Sequence, residues 1–114
     1  MIVYQGVRNP ETGKLRILRF DSSAETIRPL NPRNDLYNHS PDGFEVGYHG
    51  SGPAQTALAI LADHLRDDER AVRLHQEFKR AVIAKIDRQA DFAIADDDVD
   101  GWLEVLEAEK GSQP

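Results

Sequence analysis

Between Gly52 and Leu65 the chain places Ala54, Ala57, Leu58, Ile60, Leu61, Ala62 and Leu65, a set that runs almost completely around a helix. A helix apolar on nearly every side has to be surrounded by other elements. With 114 residues there is material for one such core. The predicted helix, about 52–66, is therefore expected at the centre, with the rest of the chain packed on it. Pro53 suits its first turn, where a missing N–H costs nothing. Ser51 or Gly52 is the expected N-cap.

Asp67-Asp68-Glu69 restarts the pattern, since acids favour the N-terminal turn of a helix. Ala71, Leu74, Phe78, Val82 and Ile86 then recur at helical spacing and predict a second helix, about 68–86, folded back as a helical hairpin. Upstream of the hairpin the period is two. Ile2, Tyr4 and Val7 mark a strand over about 2–7, and Leu15 and Ile17 one over about 14–20, joined by a turn at Asn9–Gly13. Phe44, Val46 and Tyr48 share a face and predict a strand over about 43–48. A further short strand is expected at 25–29 or 92–95. Asn31 to Ser40 reads as an ordered loop with one helical turn near Asp35. Asp96-Asp97-Asp98 opens a last helix, about 97–109, with Val99, Trp102, Leu103 and Leu106 inward. His64 and His75 are expected at partly exposed helix positions. The fold class is α+β: a small antiparallel sheet of three to four strands on a helical hairpin plus a C-terminal helix. One domain is expected over 1–110, with a frayed tail at 111–114.

Composition narrows the chemistry. There is no cysteine, which removes disulfides, thiolate metal sites and Cys nucleophiles. No signal peptide and no run of about 20 apolar residues is seen, so the expected location is cytoplasmic, away from membranes. The net charge is −6, and residues 91–114 carry eight acids against Lys110 alone. Such a segment repels phosphate backbones, so nucleic acid is not an expected partner.

The run Asn38-His39-Ser40-Pro41, Gly43-Phe44-Glu45, Gly47-Tyr48, Gly50-Ser51-Gly52-Pro53-Ala54-Gln55 and Ala57-Leu58-Ala59-Ile60-Leu61 resembles a small, functionally uncharacterised prokaryotic domain family found in bacteria, archaea and their viruses. Tyr4-Gln5-Gly6 and Asp67-Asp68-Glu69-Arg70-Ala71 fit the same pattern, and the resemblance spans roughly residues 3–106. It implies an accessory protein of phage or mobile-element neighbourhoods and transfers no catalytic residue.

Candidate binding residues concentrate in the middle of the chain. Arg33, Tyr37, Asn38 and His39 offer recognition groups on a loop. The Gly47–Pro53 turn, with Tyr48, Gly50, Ser51, Gly52 and neighbouring Gln55, enters a helix and could present N–H groups to an anion. It has neither a P-loop pattern nor a Lys or Arg between Arg33 and Arg66, so a tight corner is the competing explanation. His39, Glu45 and His49 bracket the 43–48 segment; a metal or acid–base site there is not favoured, because the histidines lie well apart on a regular strand. Ser40 and Ser51 lack a nucleophile elbow. No catalytic residue, metal or cofactor is assigned. The leading expectation is a non-enzymatic protein-binding accessory domain whose partner is a host or phage protein, with inhibition of a host nucleic-acid-handling defence complex as one concrete form. The alternatives are a small anionic ligand or nucleotide phosphate at the Gly47–Pro53 turn, and weak nucleic-acid binding by bases such as Arg70, Arg73 and Arg80.

Overall fold

The structure, a computed structural model, describes residues 1–111. Strands β1 (Ile2–Arg8) and β2 (Leu15–Asp21) form the expected hairpin. Asn9 shapes its turn, its side-chain oxygen accepting from the N–H of Glu11 at 2.8 Å. After an Asx turn at Asp21, β3 (Thr26–Pro29) pairs with β2. Helix α1 (Ser51–Leu65) and helix α2 (Asp68–Ala81) follow, then a 3₁₀ turn at Ile83–Lys85. Strand β4 (Phe92–Ala95) leads directly into α3 (Asp96–Gly111). The remaining residues of the expected frayed tail, 112–114, lie outside the described residues.

The sheet has the order β3-β2-β1-β4 and every pair is antiparallel. Both alternative short strands, at 25–29 and 92–95, are thus present, one on each edge. One sheet face supplies Tyr4, Leu15, Ile17 and Ile94 to a core built around α1, whose Ala57 to Leu61 are fully enclosed. α2 adds Ala71, Leu74 and Phe78, and α3 adds Val99 and Leu103. Trp102 lies against Phe78 with ring centroids 4.9 Å apart. Among the described residues no helix is long and apolar enough to cross a membrane.

Four local expectations are corrected. The 43–48 segment is not a strand: Phe44 forms an isolated bridge to Leu15 and nothing more. Its backbone is satisfied elsewhere. Thr56 Oγ1 accepts from the Glu45 N–H and donates to the Glu45 carbonyl, and the Gly47 N–H donates to Ile83 O at 3.1 Å. α1 is capped by Gly50 in extended conformation, without a side-chain cap, and Ser51 is its first helical residue. The second helix stops at Ala81, and the 3₁₀ turn swings Ile83 into the core. His75 is buried, not partly exposed.

Candidate functional site

Residues 31–48 form a strap across the N-terminal half of α1, and two α1 side chains hold it there. Gln55 is fully buried; its Oε1 accepts from the backbone N–H of His39 at 2.8 Å and Ser40 at 3.1 Å, and its Nε2 donates to Pro32 O. Thr56, one residue on, fastens Glu45 as described. Gln55 is thus a structural clamp, and Thr56, which the sequence reading passed over, is its companion. Polar residues inside an otherwise apolar helix were the available signal, because a buried amide or hydroxyl must find partners.

Most of the polar groups read as recognition groups are engaged within the chain. Arg33 bridges Asp35 and Asp68, with Nη2–Oδ2 at 2.9 Å to the latter, and these hydrogen bonds raise its already high pKa. Asn34 donates to Asn38 Oδ1 and to Ser40 O. The helical turn near Asp35 forms as expected, with the Leu36 N–H on Arg33 O at 3.0 Å. Glu45 takes a bidentate grip from Arg8 at 2.8 and 3.0 Å, and that hydrogen bonding holds its carboxyl below the usual range.

The sequence sets His39 and His49 well apart and names no partner for His39; the structure gives it one in His75, with the Nε2 atoms 2.9 Å apart. The ring centroids are 5.1 Å apart, so the nitrogens face each other nearly head-on as in a hydrogen bond. His75 Nδ1 donates to Val72 O at 2.6 Å. Neutral His75 then accepts at Nε2, and His39 carries its proton on Nε2. Doubly protonated rings would oppose two N–H groups and two charges. Burial lowers both pKa values; a charge on His75 and the nearby Lys79 add to this for His39, while the Val72 carbonyl partly offsets it for His75. Among the described residues no group of three or more His, Asp or Glu is arranged to hold a metal ion.

Tyr37 stacks on His39 at 4.1 Å between centroids and remains 54% exposed. Beside it, Leu36, Asp68, Glu69, Val72 and Arg73 line an open groove of about 540 Å³. An aromatic ring held by stacking on a pinned loop, next to an apolar-floored groove, is the most prominent recognition feature around the strap.

The glycine turn is closed by its own chain. A Cβ on Gly52 would lie 2.6 Å from Glu45 Cβ, and one on Gly50 2.5 Å from Tyr48 Cε2. Tyr48 in turn has the Arg88 guanidinium 4.7 Å from its ring centroid. Gly47 has φ +86°, and a Cβ there would meet Ile86 O at 2.6 Å. These contacts fit a tight corner.

A second polar cluster escaped the sequence reading. Asp63 Oδ2 accepts from Tyr4 Oη and from Arg19 Nε, both at 2.7 Å, tying the sheet to α1. Desolvation, then the bond to Asp63, pushes the Tyr4 hydroxyl far above its usual pKa. An acid in a helix this apolar was the legible hint that a buried partner waited on the sheet.

Comparison with known proteins adds a family and no activity. A family model described as a family of unknown function (DUF6166) matches residues 4–105, and the chain belongs to that family. No curated protein and no solved structure matches the chain.

Proposed function

We propose that this member of the family is a non-enzymatic accessory domain that binds a partner protein through the Tyr37 face of the strap and the adjoining α2 groove. The observation that carries the reading is the exposed Tyr37 ring, stacked on His39 and seated on a loop that Gln55 and Arg33 immobilise. Such preorganisation lowers the ordering cost of association. The groove beside it sets the partner's chemistry: an apolar side chain against Leu36 and Val72, flanked by a Lys or Arg that meets Glu69, since Arg33 already occupies Asp68. The chain's net charge of −6 favours approach of a basic surface. A host or phage protein remains the proposed partner class.

Mimicry of a phosphate backbone by α3 is not favoured as the mode of action. Asp96 accepts from the Ile2 N–H, Asp98 from the Ala95 N–H, Asp100 pairs with His64 and Glu107 with Arg70. These carboxylates cap and brace the fold rather than forming an unpaired row.

The test is affinity capture with wild type, Tyr37→Phe and Tyr37→Ser, followed by binding assays with the purified partner. Saturable binding that Phe retains and Ser loses is the expected result. A partner held equally by Tyr37→Ser would overturn the proposed surface.

A further inference from the structure

Tyr37 is held in place by a ring that can take up a proton. It stacks on His39, and His39 in turn meets His75 through their Nε2 atoms. The three rings run from the surface inward: Tyr37 is exposed, His39 half-buried and His75 buried. Among the described residues the Tyr37 hydroxyl makes no hydrogen bond, so the stack is what orients its ring.

One arrangement of protons lets the two inner rings meet. His75 Nδ1 donates to Val72 O, which leaves its Nε2 as an acceptor, and His39 supplies the Nε2–H. A proton added at His39 Nδ1 preserves that bond. A proton added at His75 Nε2 sets two N–H groups against each other. The charged neighbour that acts on both rings is a cation, Lys79, one turn beyond His75 on α2. On the strap, Arg33 pairs with Asp35 and with Asp68 of α2. Glu69 and Arg73 of α2 stand at the groove beside Leu36 and Val72. From α1 the residue that reaches His39 is Gln55, which carries no charge.

A His39 ring turned out into water escapes both its burial and these cations. The outward form therefore binds a proton more readily than the inward one, and it gains population as pH falls. The backbone need not move for this. Gln55 Oε1 holds the His39 and Ser40 N–H groups whichever way the ring points, so the moving part is the His39 side chain alone.

We infer that the His39–His75 contact is an acid-sensitive latch on the Tyr37 surface: closed, it orders the Tyr37 ring for docking; opened by protonation, it turns His39 outward and frees Tyr37. The latch rests on the reading of Tyr37 as the recognition surface. It opens locally, before the chain unfolds.

NMR of the full chain with isotope-labelled histidine tests this without any partner, from about pH 8 down to about pH 4.5, a range that spans histidine titration. At the upper end His75 should carry its proton on Nδ1 and His39 on Nε2, and the Tyr37 ring should shift the His39 ring protons upfield. On acidification that shift should collapse as the histidines charge, while the fluorescence of Trp102, packed on Phe78, stays native. His75→Gln offers His39 an amide oxygen that never takes a proton, so the shift should persist to lower pH. In His39→Phe the stack should hold at every pH. A shift that survives the charging of both histidines, one lost only together with the Trp102 signal, or an unchanged midpoint in His75→Gln would each overturn the latch. The Tyr37 surface is tested separately, by partner binding to Tyr37→Ser at neutral pH, so failure of the latch and failure of the surface give different results.

Discussion

Gln55 and the His39–His75 pair show how single side chains hold the strap. Truncating Gln55 to Ala would leave the His39 and Ser40 N–H groups and the Pro32 carbonyl without their partner. Unsatisfied buried groups of this kind cost about 1–3 kcal/mol each when fully dry, so a loss of about 2–4 kcal/mol is expected in urea unfolding. The histidines make stability depend on pH. Burial lowers both folded pKa values below the ordinary 6.5, so the unfolded chain takes up protons first as pH falls. Their contribution is therefore complete above that ordinary value and is lost as pH drops through it toward the folded values. Unfolding midpoints of wild type should fall between about pH 7.5 and pH 5, and His75→Gln should flatten that part of the profile. An unchanged profile would mean that other groups govern it. Neither feature was fully readable beforehand. Gln55 stood out as polar on an apolar helix, but its partners lie 15 to 23 residues upstream. His39 and His75 are separated by 36 residues, so no local spacing could signal their pairing.

At the scale of elements, strong periodicity was read well and alternation alone was not. The helices and the first hairpin follow from long apolar stripes with charged or glycine-rich punctuation, signals that persist over several turns. The 43–48 segment alternates too, yet forms no strand. Its backbone groups find Thr56 and Ile83, and the free edge of β1 is taken by β4. Alternation reports which side chains face inward, and Val46 is indeed buried; it does not report who receives the N–H groups. Two substitutions probe this arrangement. Gly47→Ala requires a positive φ and drives a Cβ into Ile86 O, so a loss of about 2–3 kcal/mol is expected from thermal or urea unfolding. Asp63→Ala removes the partner of both Tyr4 and the nearly buried Arg19. A cost of about 2–4 kcal/mol is expected, below the upper range for fully buried pairs because Asp63 keeps some solvent contact. If Asp63→Ala were neutral, the sheet would be held to α1 by apolar packing alone.

For the whole molecule, the candidate residues divide into two groups with different work. Gln55, Glu45, Tyr48 and the glycines secure the strap, while Tyr37 and the Leu36–Val72 groove are presented outward by it. The sequence could locate the strap, because its composition is unusual, but not separate clamp from surface, because that depends on which side chains α1 reaches. The acidic balance is similarly divided: caps and ion pairs occupy many of the α3 carboxylates and also Asp68, while Glu69 stands at the groove. The proposed docking reading therefore rests on Tyr37 more than on net charge. The most direct measurement is a calorimetric titration of the captured, purified partner into wild type and Tyr37→Ser. An aromatic anchor is worth at least about 1–2 kcal/mol, so affinity should fall roughly tenfold or more while the unfolding midpoint stays nearly constant. Equal affinity for both proteins would contradict the account and move the recognition surface away from the strap.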